Sequence, residues 1–237
     1  NIVFKPNVGP QTDFLAAGER EVLYGGSAGG GKSYAMLADP LRYMGHPSFS
    51  GLLLRHTTEE LRELIYKSKE IYPQIWKGIK WSERKMQWEA PSGARLWMSY
   101  LDRDDDVLRY QGLAFSWIGF DELTQWSTPY AWNYMRSRLR SVAQDLPVYM
   151  RATTNPGGPG HQWVKKMFID PAPYGKQFNA TDIESGNVLS YPKGHTKSGQ
   201  PLFKRRFIPA RLSDNPYLSA QGDYETMLLS LPEHQRK

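Results

Sequence analysis

Cysteine is absent from the 237 residues. That excludes disulfides and cysteine zinc sites, and it fits an intracellular protein. No apolar run approaches the roughly 18 residues of a membrane span, so no membrane partner is expected. The opening stretch, Asn1-Ile2-Val3-Phe4-Lys5-Pro6, has neither the apolar core of a signal peptide nor an initiator Met. The chain is therefore read as a piece excised from a longer one. Internal repeats and long low-complexity linkers are also missing. An acidic excess is missing too: the net charge is +6, which permits a polyanionic partner without requiring one. Apolar side chains are in ordinary supply, with eight Trp and fourteen Tyr, so the chain can bury a sizeable core. The length suits one large domain, or one domain and a small appendage.

The most specific stretch is Gly25-Gly26-Ser27-Ala28-Gly29-Gly30-Gly31-Lys32-Ser33. From Gly26 onward it fits G-x-x-x-x-G-K-[ST] without mismatch. The short apolar run Glu21–Tyr24 precedes it and reads as a buried strand. Tyr34–Ala38 follows and suits a helix. Strand, glycine loop and helix in this order form a phosphate-binding loop. Glycines let successive N–H groups turn toward anionic oxygens, and the helix N-terminus adds partial positive charge. Lys32 is placed to reach the β- and γ-phosphates, and the Ser33 hydroxyl to hold Mg²⁺. Upstream, the amide of Gln11 offers a donor and an acceptor together. It either reads the adenine edge or belongs to a solvated helix cap.

A second landmark is Ser116-Trp117-Ile118-Gly119-Phe120-Asp121-Glu122, an apolar run ending in two acids. It reads as a Walker B strand. Asp121 orients Mg²⁺ through its water shell, and Glu122 accepts a proton from the attacking water or positions it. Val148–Arg151 is another apolar run, and it ends in Thr153-Thr154-Asn155. In a parallel sheet the C-terminal strand ends face the ligand, so these three are candidates to sense the γ-phosphate or the water.

Elsewhere, Gly51–Arg55 predicts a strand, Thr58–Ile65 a helix with an acidic first turn, and residues 81–100 a hairpin turning at Pro91-Ser92-Gly93. The acidic cluster Asp102–Asp106 is read as the opening of a helix rather than a metal site. A helix is expected from about His161 to Phe168, and an exposed loop over Lys193–Pro201. Lys204-Arg205-Arg206 is either a phosphate-facing strip or a solvated strand edge. A further helix is expected around Gln221–Leu231.

Together these residues resemble the ATPase domain of the large terminase subunit of tailed bacteriophages. Walker A and B are generic to nucleotide motors. The match is narrowed by Arg109-Tyr110-Gln111-Gly112 before the Asp-Glu strand and by Ala152-Thr153-Thr154-Asn155-Pro156-Gly157-Gly158 after it. Asp214-Asn215-Pro216-Tyr217-Leu218 resembles the exit of that domain. The resemblance implies an α/β P-loop NTPase fold of the additional-strand, RecA-like type, with a central, mostly parallel sheet flanked by helices. Residues 1–212 then form the ATPase domain and 213–237 a helical exit segment. The resemblance also implies ATP and Mg²⁺, and translocation of double-stranded DNA by a ring, pentameric in the family, on the portal of a procapsid. Its implied partners are the small terminase subunit and the portal protein. The implied place is the cytoplasm of the infected host, outside the mature virion. The family's nuclease domain has no counterpart within residues 1–237, so no DNA cleavage is expected from them. The nucleotide-contacting set is Gln11, Gly26, Ser27, Ala28, Gly29, Gly30, Gly31, Lys32, Ser33, Thr153, Thr154 and Asn155.

Many relatives carry an arginine inside the Walker A loop, and this chain does not. Another often stands directly before the glycine that is Gly112 here, where this chain has Gln111. A cation near the γ-phosphate must then come from elsewhere, because it is worth about 10³–10⁵ in rate. Arg109, delivered by a neighbouring subunit, is the first candidate, with Arg55, Arg136 and Arg138 behind it. The alternative for Arg109 is an ion pair with Asp104–Asp106. The rival functions are a two-core-domain helicase, for which no second core domain is visible, and a nucleotide-binding regulator with weak turnover.

Overall fold

The computed structural model of the protein describes residues 4–27, 29, 31–211 and 214. In chain order the elements are α1 (Pro10–Ala16), β1 (Glu21–Gly26), α2 (Lys32–Ala38), β2 (Ser50–Arg55), α3 (Thr58–Ile75), β3 (Lys80–Ser82), β4 (Gln87–Glu89), β5 (Arg95–Tyr100), β6 (Trp117–Phe120), α4 (Tyr130–Arg136), β7 (Tyr149–Thr154), α5 (His161–Val164), β8 (Gln177–Asn179) and β9 (Lys204–Ala210). Ala28 and Gly30 of the glycine loop lie outside the described residues. So does the exit segment from 213 onward, apart from Asp214, including the helix expected around Gln221–Leu231. The chain divides into two compact units.

The first unit is built on Ser33–Glu122 and Pro129–Thr153. Its strands run in the order β3-β4-β5-β2-β6-β7. β2 pairs parallel with both β5 and β6, and β6 pairs parallel with β7. The β3-β4-β5 end is antiparallel, as the predicted hairpin requires. Leu52, Leu53 and Leu54 of β2 and Ile118 and Phe120 of β6 are fully buried. A parallel strand covered on both faces reads as an unbroken apolar run, and these do.

α3 starts where Thr57 caps it: the Thr57 Oγ1 accepts the Glu60 N–H at 3.3 Å, and Glu60 Oε2 accepts the Thr57 N–H at 3.3 Å. This reciprocal box satisfies two N–H groups that the first turn leaves open. Its inner face buries Leu61, Leu64, Ile65, Ser68 and Tyr72. The polar atoms taken down with that face find partners. Tyr72 donates to the Leu37 carbonyl at 2.8 Å, and the Trp88 indole donates to Ser68 Oγ at 3.0 Å. Below β6, the buried indole of Trp117 donates to Asp39 Oδ2 at 2.8 Å, and Arg42 holds Asp39 Oδ1 at 2.9 Å. Gly119 makes room for this indole: a Cβ there would stand 2.3 Å from the Trp117 ring.

The second unit is built on Asn7–Lys32, Leu123–Thr128 and the described residues from Thr154 onward. β1 pairs parallel with β9, Glu21 opposite Arg205 and Gly26 opposite Ala210, and β8 closes on β9 antiparallel. The sequence offered two readings of Lys204-Arg205-Arg206, and both fail for Arg205. β9 lies between β1 and β8, so it is not an edge, and Arg205 is 1% exposed. Its Nε donates to Glu21 Oε2 at 2.7 Å, and its Nη1 to the Thr181 carbonyl at 2.7 Å. A buried guanidinium persists only when its charge and donors are matched, and Glu21 does the matching. Arg206 donates to the Gly175 carbonyl at 2.9 Å, and Lys204 alone of the three is exposed. The helix expected over 161–168 is α5 continued by a π-helical turn, Lys165–Ile169.

Candidate functional site

The glycine loop belongs to the second unit as far as Lys32. Its geometry is fixed at both ends. At the start, Gly26 has φ 139°, and a Cβ on it would lie 1.9 Å from the Ala210 carbonyl oxygen, so only glycine fits. The next residue, Ser27, donates its N–H to that same oxygen at 3.0 Å. Further on, Gly29 and Gly31 take φ values of 80° and 75°, where side chains are disfavoured. Lys32 is 5% exposed, and its Nζ donates to the Ser27 carbonyl at 2.7 Å and the Gly26 carbonyl at 3.4 Å. The ammonium therefore lies inside the loop's own curve.

Gln11 meets the same loop. It is 4% exposed; its Nε2 donates to the Gly31 carbonyl at 2.9 Å, and its Oε1 accepts the Asn7 N–H at 2.6 Å. Both amide functions that the adenine reading relied on are engaged by backbone. Gln11 thus ties α1 to the loop, a role that neither sequence reading contained.

Still in the second unit, Thr154 Oγ1 donates to Thr124 Oγ1 at 3.0 Å, and Thr124 Oγ1 to the Asn155 carbonyl at 3.3 Å. This hydroxyl chain links the turn after β6 to the end of β7. A cavity of about 370 Å³ opens beside it, with Gly25, Gly26, Ser27, Thr154, Asn155 and Phe207 in its wall.

The first unit holds the acids. Asp121 follows β6 directly and is fully buried. Its N–H donates to the Leu54 carbonyl at 2.9 Å, which continues the β2–β6 ladder one residue beyond the strand. Its Oδ1 accepts the Thr153 hydroxyl, and Arg55 Nε lies 2.7 Å from its Oδ2. A carboxylate this deep requires such partners. Thr153, also fully buried, uses its Oγ1 twice, because it accepts the Glu122 N–H at 3.0 Å as well. Glu122 has φ 61°. A non-glycine residue in this left-handed region costs about 1–2 kcal/mol, and such strain concentrates at working sites. The Glu122 side chain is half-buried.

Ser33 stands in the first turn of α2, half-buried. Arg109 lies in the last turn of the 3₁₀ helix Asp104–Tyr110. Its Nη2 donates to the Tyr100 carbonyl at 2.7 Å and lies 3.5 Å from Asp106 Oδ1, while its side chain stays 47% exposed. Of the acidic cluster, Asp106 makes this pair, and its other oxygen caps the helix through the N–H groups of Asp102 and Arg103 at 2.9 and 3.0 Å. Arg138 donates to Ser137 Oγ at 3.0 Å and covers the Tyr134 ring. The Arg55–Asp121 pair escaped the sequence. Its one signal was a cation closing an apolar strand, and nothing local says which neighbouring strand supplies the acid.

Known proteins place these features in a family. The family model described as phage terminase large subunit matches residues 19–194, well over half of the chain. The chain belongs to the phage terminase large subunit family. Among solved structures, the large terminase of a thermophilic bacteriophage, in complex with ADP, aligns with this terminase chain at a TM-score of 0.63 and 16% identity. That alignment covers 98% of this chain and 52% of the thermophilic phage's. The ATPase domain of the Thermus phage P74-26 large terminase aligns at a TM-score of 0.58 and 13% identity, covering 98% of this chain and 91% of that one. The terminase chain thus spans about half the length of the ADP-bound relative. No curated protein matches it. The shared fold is the mixed α/β, mostly parallel P-loop fold of terminase ATPase domains, as the resemblance implied. Among the described residues, no helix is long and apolar enough to cross a membrane.

Proposed function

We propose that this chain is the ATP-hydrolysing part of a motor that moves double-stranded DNA into a viral procapsid. The observation that carries the reading is a G-x-x-x-x-G-K-S loop with left-handed glycines and Lys32 curled inside it, in a family member whose β6 is followed directly by Asp121 and Glu122. Gly26–Ser33 receive the phosphates. Lys32 exchanges its contacts with the loop carbonyls for phosphate oxygens and neutralises charge as the γ-phosphoryl leaves. Glu122 aligns the attacking water and draws its proton. Thr153 holds both acids in register, and Thr154 and Asn155 report the loss of the γ-phosphate. Gln11 supports the loop through Gly31, and contact with adenine requires it to exchange its backbone partners.

The Ser33 hydroxyl and the Asp121 carboxylate are hard oxygen donors of the kind Mg²⁺ takes alongside water and phosphate, so the donor set fits that ion. When bound, Mg²⁺ neutralises the phosphate oxygens that the loop amides do not reach.

In this reading the working unit is a ring on the portal, of five subunits as in the family, with the small terminase subunit and portal protein as partners in the infected cell. Arg109, nearly half exposed, is the cation offered to a neighbouring subunit's γ-phosphate. DNA is gripped through its backbone, without base reading, so affinity falls as salt rises. The test is ATP hydrolysis per subunit against protein concentration, with Mg²⁺, with and without linear duplex DNA. A per-subunit rate that rises with concentration and with DNA supports the motor. A flat rate indifferent to DNA contradicts the shared-site ring, and nucleotide binding without turnover favours a regulator.

A further inference from the structure

Asp121, the acid assigned to the metal, already has a cation beside it. Arg55 Nε is 2.7 Å from Asp121 Oδ2, and the remaining carboxylate oxygen takes the Thr153 hydroxyl. Arg55 is 9% exposed and Asp121 fully buried, so water screens this pair weakly. Arg55 also has a second acid within reach. Its Nη1 lies 3.8 Å from Glu60 Oε1, and the Glu60 side chain is 36% exposed. Backbone bonds fix the position of Arg55: its carbonyl accepts the Leu101 N–H at 3.0 Å, and the strand before it is paired on both sides.

We propose that Arg55 is a positioning residue that competes with the divalent cation for Asp121, and that Glu60 is the partner it turns to when the cation binds. The inference rests on the nucleotide reading above. A cation that approaches Asp121 meets the Arg55 charge, so its binding is weakened until Arg55 moves toward Glu60. Glu60 therefore favours the cation from a distance, through Arg55. Because Glu60 also caps α3, the cation's arrival is felt at the start of that helix.

Two substitutions then act in opposite directions. Arg55→Gln removes the competing charge and lowers the Mg²⁺ concentration that half-saturates nucleotide binding by about tenfold, the order produced by a unit charge a few ångströms away. Glu60→Gln keeps the capping box, since glutamine serves there as well, but deprives Arg55 of its second acid and raises the Mg²⁺ requirement. Arg55→Lys retains the charge and stays near the unaltered chain. The assay is binding of a fluorescent ADP analogue during Mg²⁺ titration, with no turnover involved. A purely structural role for Arg55 would lower thermal stability and leave the Mg²⁺ midpoint in place. An unchanged or raised midpoint in Arg55→Gln overturns the inference. Should that variant fail to fold, a lowered or unmoved midpoint in Glu60→Gln overturns it as well. If the unaltered chain fails to bind the analogue at any Mg²⁺ concentration, the nucleotide reading itself fails and takes this inference with it.

Discussion

Replacing Thr153 by valine keeps its shape and removes its hydroxyl. That hydroxyl donates to Asp121 Oδ1 and accepts the Glu122 N–H at 3.0 Å, in a residue with no exposed surface. The bond to a charged acceptor is worth about 1.5–3 kcal/mol, and stranding the Glu122 N–H costs about 1–3 kcal/mol. Together the loss is on the order of 3–5 kcal/mol. Thr153→Ser keeps both bonds and deletes one buried methyl, which costs about 1 kcal/mol. Serine should therefore be the milder change by about 2–4 kcal/mol, although valine is the better match in volume. Urea unfolding of the three proteins, compared through their midpoints at equal slope, reads this difference. Hydrolysis should follow the same order, because the Glu122 backbone loses its anchor only in the valine variant. A valine variant as stable as the serine variant would refute the assignment of Thr153 as the clamp on the two acids.

Two further outcomes follow from single residues. Since Glu122 has φ 61°, Glu122→Gly should be more stable than Glu122→Ala by about 1 kcal/mol, the reverse of their order in a helix; thermal unfolding of the pair decides it. Burial pushes the Tyr72 hydroxyl above its ordinary pKa of 10.0, and burial followed by Asp39 does the same to Tyr149. The folded chain then holds these protons more tightly than the unfolded one. Their stabilisation is complete below pH 10 and is lost above it, at about 1.4 kcal/mol per pH unit for each residue. Tyr72→Phe loses the bond to Leu37, about 1 kcal/mol at neutral pH. It should also flatten the alkaline decline, as denaturation midpoints between about pH 9 and 11.5 would show.

The sequence revealed what local pattern encodes. β1, β2, β6 and β7 are apolar runs bounded by polar residues, and each appears where the pattern puts it. The glycine loop was legible because the backbone conformations it needs exclude most other residues. Long-range pairings were not legible. Arg205 and Glu21 are 184 positions apart, and only the parallel pairing of β1 with β9 brings them together. A run of three basic residues looks the same in sequence on a solvated edge or inside a sheet. Arg55 was visible as a cation at a strand end, but its partner depended on β6 being the next strand. Gln11 was visible as an amide near the loop, while its grip on the Gly31 carbonyl depended on how α1 packs. The left-handed turn at Glu122 had no signal at all, because glutamate is not a residue that pattern would place there.

The measurement that bears most directly on the central claim is ATP turnover by Glu122→Gln beside its nucleotide affinity. The substitution keeps size and hydrogen-bonding capacity and removes the carboxylate base. The account predicts unchanged nucleotide binding and turnover lowered by about 10²–10⁴, the range for loss of a general base. Turnover within a few-fold of the unaltered chain would contradict it.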